Sequence, residues 1–164
     1  MNYATVSNMC LWFGCREMAE LASPDDGGLC PSELLRTLVA GQPTGAWTAE
    51  QVETASRAVA RIEDVLDSAS RIAEGYLSTT HALPLDPAII AASPLSRMVG
   101  DIARHLLHDD QDLPVVTQRR DRAVRWLEQV SRGQVNLSVT TTATTGVGMP
   151  VMTSAPSIFG RSAS

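Results

Sequence analysis

The clearest pattern in the chain is a run of apolar residues between positions 52 and 76. Val52, Ala55, Val59, Ile62, Leu66, Ala69, Ala73 and Tyr76 recur at alternating steps of three and four. That is a seven-residue repeat, the spacing of a helical seam packed against other helices. Glu50, Arg57, Arg61, Glu63, Asp64, Asp67 and Arg71 occupy positions away from the seam, as a solvated face requires. Thr48 and Gln51 make a capping box at the start: the hydroxyl accepts a first-turn N–H, and the amide three residues on reaches back. The pattern predicts a helix over residues 49–76, about 42 Å long. A helix of that length needs neighbours, in a bundle or across a subunit interface.

Shorter helical stripes flank it. Met9, Leu11, Trp12, Phe13, Met18 and Leu21 give residues 5–21 an apolar side, with Thr5 or Ser7 as cap. Gly14 predicts a break or kink there, because glycine costs roughly 1 kcal/mol inside a helix. Turn chemistry at 23–28 (SPDDGG) precedes a short helix predicted over 31–39, and 41–46 (GQPTGA) is a second loop. The two prolines of 81–87 (HALPLDP) bias Leu83 and Asp86 to extended geometry. Ser93 and Pro94 then start a helix whose stripe is Leu95, Met98, Val99, Ile102 and Leu106, running to about residue 108. Asp109, Asp110 and Asp112 read as a turn. Pro114 opens the last helix, with the stripe Val116, Arg120, Ala123, Leu127 and Val130 and with Gly133 as its C-cap.

Beyond Gly133 the chain turns to Ser, Thr, Gly, Ala and Pro, and Arg161 is the one charge. Val135, Leu137 and Val139 alternate with polar residues, the period of a strand. The expected fold is all-α: a small helical bundle with one long central helix, plus an extended C-terminal tail that adds a strand to a partner. The expected division is a helical domain over 1–133, with 23–47 as a loop and short-helix insertion, and a tail over 134–164. Val135, Leu137 and Val139 are the residues expected to bind a partner, with Ile158 and Phe159 as an apolar anchor.

Composition narrows the function. The formal net charge is −5, and all 13 basic residues are arginine. A surplus of acids argues against tight, sequence-reading contact with nucleic acid, where each phosphate needs a cation. Arg119, Arg120, Arg122 and Arg125 are nevertheless clustered, and are candidates for contact with DNA passing through a lumen or with a neighbouring subunit. The alternative is pairing within the helix, Asp121 with Arg125 and Arg125 with Glu128. Three cysteines, Cys10, Cys15 and Cys30, are too few and too oddly spaced for a disulfide framework; reduced thiols and a cytosolic assembly compartment are expected. No stretch approaches the ~18 apolar residues of a membrane span. Asp101, His105 and His108 share a helix face at metal-compatible spacing, against the plainer reading of a polar edge with Asp101 paired to Arg97 or Arg104. The expectation is no metal, no cofactor and no enzymatic activity: no GxSxG elbow is present, and the paired acids sit in turns.

The order of motifs carries a resemblance. MNYAT at 1–5, LWFG at 11–14, EMAEL at 17–21, EGYL at 74–77, HALPL at 81–85, DIARHLLH at 101–108 and RAVRWLEQVSRGQVNL at 122–137 follow one another. Together they resemble the Mu-like family of small phage and prophage neck proteins, over roughly residues 1–139. Residues 23–46 look longer than the family's loop, and His105 and His108 stand where Tyr-like residues are expected.

The resemblance implies a virion protein akin to the helical head–tail connectors, or adaptors, of tailed phages. It implies a homo-oligomeric ring, twelve-fold by that analogy, between portal protein and tail completion protein. Genomic DNA would pass through its lumen without sequence-specific binding, and assembly would occur in the host cytoplasm. A second class of function, a small helical DNA-binding or regulatory phage protein, rests on the helix pair 95–108 and 114–132.

Overall fold

The computed structural model describes residues 2–24, 28–108 and 113–137. These residues form seven helices: α1 (Val6–Phe13), α2 (Cys15–Ala22), α3 (Ser32–Val39), α4 (Ala49–Leu77), α5 (Pro87–Ala92), α6 (Leu95–His108) and α7 (Pro114–Ser131). No strand occurs among the described residues, so the fold is all-α.

The ends of these helices follow local chemistry. Thr5 caps α1 reciprocally with Asn8, and Thr48 caps α4 reciprocally with Gln51, as the sequence predicts for the latter. Gly14, at φ +92°, ends α1 and begins α2, so residues 5–21 are two helices around a corner and not one bent rod. Gly133, at φ +71°, follows α7, where a left-handed residue closes the helix.

α4 is the central element. It has 29 residues, about 44 Å, and packs against α1, α2, α3, α6 and α7. Of the seam, Ala55, Ile62, Leu66, Ala69 and Ala73 are buried, whereas Val52, Val59 and Tyr76 are half-buried. Ala58, Ser70 and Leu77 are buried beside them. Burial thus runs Ala55, Ala58, Ile62 at one end and Leu66, Ala69, Ala73, Leu77 at the other. A straight helix drifts about 20° per heptad against a 3.5-residue repeat, and the buried face follows that drift.

Three elements differ from the sequence reading. α5, begun by Asp86 and Pro87, is an additional short helix; Asp86 accepts from the Ala88 N–H. Arg120, placed in the buried stripe of the last helix, is exposed; Val116, Ala123, Leu127 and Val130 are buried, with Val124 and Trp126 packed partly buried beside them. The 3.6-residue period puts Arg120 at the edge of that stripe, where a long side chain carries its charge out to solvent. α6 is buried well beyond its predicted stripe, because α4 and α7 cover it while α1 and α2 reach it too. Ala103 and Leu107 are buried along with Leu95, Val99 and Ile102, and Met98 and Leu106 are half-buried.

The segment between α2 and α4 is part of the core. Leu34 and Leu35 of α3 are fully buried, and α3 packs on both α2 and α4. Leu137, on the tail side of residue 133, is also buried. At the other end, the Tyr3 N–H donates to Ser70 Oγ at 3.3 Å and its hydroxyl donates to Glu74 Oε1 at 3.3 Å, fixing the N-terminal residues on α4. Burial, then the Glu74 charge, pushes the Tyr3 phenol up to about 12.

Candidate functional site

The corner at Gly14 aims Trp12, Phe13 and Glu17 at α6. The facing residues on α6 are Arg97, Asp101, Arg104 and His108, spaced by four, three and four, hence one face of a helix. The Arg97 guanidinium lies 5.2 Å from the Trp12 ring centroid and 4.8 Å from that of Phe13. Arg104 lies 4.8 Å from Phe13 from its own side. All three distances are those of cation–π contacts. Trp12 reaches this position because residue 100 is glycine: a Cβ there would stand 2.6 Å from the indole.

Charge pairs complete the ladder. Arg104 Nε donates to Glu17 Oε1 at 2.6 Å, a charge-assisted bond between half-buried groups. His108 Nε2 stands 3.6 Å from the same carboxylate oxygen, too far for a good hydrogen bond. Asp101 is 3.8 Å from Arg97, close enough for attraction but without a hydrogen bond at Oδ1. Burial pushes the Asp101 carboxyl up, while the charges of Arg97, Arg119, Arg104 and Arg122 pull it back down.

That charge environment identifies the site. The charges of Arg119 and Arg122 of α7 act on Asp101 together with those of Arg97 and Arg104 of α6, so four arginines bear on one buried acid. The four arginines expected to cluster on the last helix therefore divide. The charges of Arg119 and Arg122 bear on Asp101. Arg120 pairs with Asp121 at 2.9 Å. Arg125 is exposed and, at 3.6 residues per turn, lies nearly opposite the buried stripe. The sequence reading pairs Asp101 with Arg97 or Arg104, and Arg97 stands 3.8 Å from it; Glu17 is the member that reasoning kept to one helix missed. The 97–101–104–108 spacing was the signal available, and it is visible once α6 is known to be covered on its polar side.

Other candidates fall as follows. Asp101 and His108 are buried, but His105 is half-exposed, and no cluster of three metal-ligating side chains occurs among the described residues. Cys10 and Cys30 are buried and Cys15 is half-buried, all as free thiols. Burial first, then the neighbouring Cys15, pushes Cys10 up to about 12, and burial raises Cys30. Such thiols stay protonated and poorly reactive near neutral pH. Of the tail residues, Leu137 is buried and Val135 is packed against the chain's own core. Residues 135–137 are not a strand, so neither side chain is free to fill a partner's pocket in this conformation. Val139, Ile158 and Phe159 lie outside the described residues. No helix is long and apolar enough to cross a membrane, among the described residues.

The chain is 29% identical over 164 residues to gene product J of Escherichia phage Mu, covering 98% of this chain and 96% of that protein. Residues 3–152 match the family model described as Bacteriophage Mu, Gp36. That span takes in every described helix and both faces of the Arg97–His108 ladder. The protein is a phage protein, a member of the Bacteriophage Mu Gp36 family.

Proposed function

We propose that the protein is a structural subunit of the phage neck, a head–tail connector without catalytic activity. In this reading, copies of the chain close a ring, twelve-fold by analogy, beneath the portal protein. The ring extends the DNA channel and offers its far side to a tail completion protein. Family membership and the all-helical fold support the reading. The structural observation that carries it is the charge asymmetry of the subunit. α4 holds six acids and three arginines, whereas α7 holds four arginines and two acids. A head-to-tail ring needs two different, complementary surfaces on each copy, and opposed charge supplies the steering and register for such contact.

The same geometry disfavours a sequence-reading DNA-binding role. Arg97 and Arg104 are stacked on aromatic rings and Arg104 is bonded to Glu17, so the α6 cations are committed internally. The test is retention of purified subunit on isolated portal rings, beside a gel shift on nonspecific DNA at low salt. Portal retention without DNA retardation is the expected result. DNA retardation with no portal binding would replace the connector with the regulatory reading.

A further inference from the structure

α1, α3 and α4 enclose an open cleft of about 400 Å³, with Val6, Leu38, Val39 and Val59 as its apolar wall and Ser56 and Glu63 on α4's side. Leu38, Val39 and Val59 are half-buried and rest directly on the core. The volume lies in the range of pockets that hold a drug-sized group. We propose that this cleft receives the chain's own C-terminal segment, with Ile158 and Phe159 on the apolar wall and Arg161 against Glu63.

Charge and spacing on both sides agree. Arg161 is the one charged residue after residue 137, and among the described residues Glu63 is the one charged residue lining the cleft. Phe159 and Arg161 are two residues apart, about 7 Å in extended chain. Val59 and Glu63 are one helical turn apart, about 6 Å along α4. An apolar side chain followed by a cation thus meets an apolar wall followed by an acid at matching separation.

Chain length permits the docking within one subunit. α7 ends beside the end of α4, where Thr79 Oγ1 donates to the Ser131 carbonyl at 3.3 Å and Thr80 Oγ1 to the Val130 carbonyl at 3.4 Å. From there the cleft lies about 30 Å back along α4. Ile158 is twenty-one positions along the chain from Leu137, a reach of at most about 70 Å. A segment tethered within reach is present at millimolar effective concentration, which favours the subunit's own tail over one from a free copy. The proposal does not depend on the neck reading.

The test uses the full-length chain with Phe159 replaced by the photoreactive analogue benzoylphenylalanine, irradiated and mapped by mass spectrometry. Crosslinks within the chain to Val6, Leu38, Val39 or Val59 are expected. Glu63 is exposed, so Glu63→Arg keeps the fold, checked by circular dichroism. That swap should lower the crosslink yield about two- to five-fold, and adding Arg161→Glu should restore it. Crosslinks to other surfaces would overturn the proposal. So would crosslinks to a second copy in a mixture of isotope-labelled and unlabelled chains, or a yield indifferent to both swaps.

Discussion

α4 faces the core with alanine, isoleucine and leucine, whereas α6 brings Arg97, Asp101, Arg104 and His108 against the α1–α2 corner. Both helices are central, yet they are held by different physics. The α4 contact is non-directional: it scales with apolar area removed from water, roughly 25 cal/mol per Å². Its register can drift along a straight helix at little cost, as the shift of burial from Ala55 and Ala58 to Ala73 and Leu77 shows. The α6 contact is directional. Each cation there has a particular ring or carboxylate, and a group that loses its partner keeps its desolvation cost. The difference teaches that the bundle takes its bulk stability from α4 and its unique arrangement of α1, α2 and α6 from the polar ladder.

Substitutions separate the two kinds of contact. The largest effect belongs to the seam: Leu66→Ala should cost about 2–5 kcal/mol in urea unfolding, and Ile62→Asp should prevent folding altogether. Next is Glu17→Ala, which takes from Arg104 its hydrogen-bonded carboxylate. A loss of about 1.5–3 kcal/mol is expected, with the larger part already present at low salt and little screened, because the pair is partly buried. Gly100→Ala should cost about 1–3 kcal/mol by driving a methyl into the Trp12 ring, and near-ultraviolet circular dichroism should report the displaced indole.

The smallest effect is at Asp101, and its sign is opposite. Burial raises the carboxyl in the folded state, so the group favours folding below its unfolded value, about 4, and that contribution is lost as pH rises through the folded value. Asp101→Asn should therefore raise Tm slightly at neutral pH and match the parent protein near pH 3. A lower Tm for the variant at pH 7 would mean that the attraction of Arg97 and Arg119 outweighs burial.

The contrast also explains what was legible in the sequence. Apolar periodicity is written in consecutive residues of one helix, so α4, its capping box, the Gly14 break and α7's ends were all readable. The polar ladder depends on which helix covers which, and α6 meets the α1–α2 corner across about eighty residues of chain. Nothing local marks Arg97 as a stacking partner of Trp12 or Glu17 as the mate of Arg104. Arg120 was misplaced for a related reason: spacing assigned it to the inner stripe, but its long side chain reached the edge and paired with Asp121. Leu137 was read by its two-residue period as part of a free arm, yet its side chain is used by the core of its own subunit. Helix α5 is only six residues long, too short to show a period.

The connector reading is tested most directly by electron cryomicroscopy of the mature particle's neck. The account predicts a ring of these subunits directly beneath the portal, each showing a rod about 44 Å long with the α7 side of one copy against the α4 side of the next. Particles whose neck density lacks that rod, while retaining DNA and a joined tail, would contradict it.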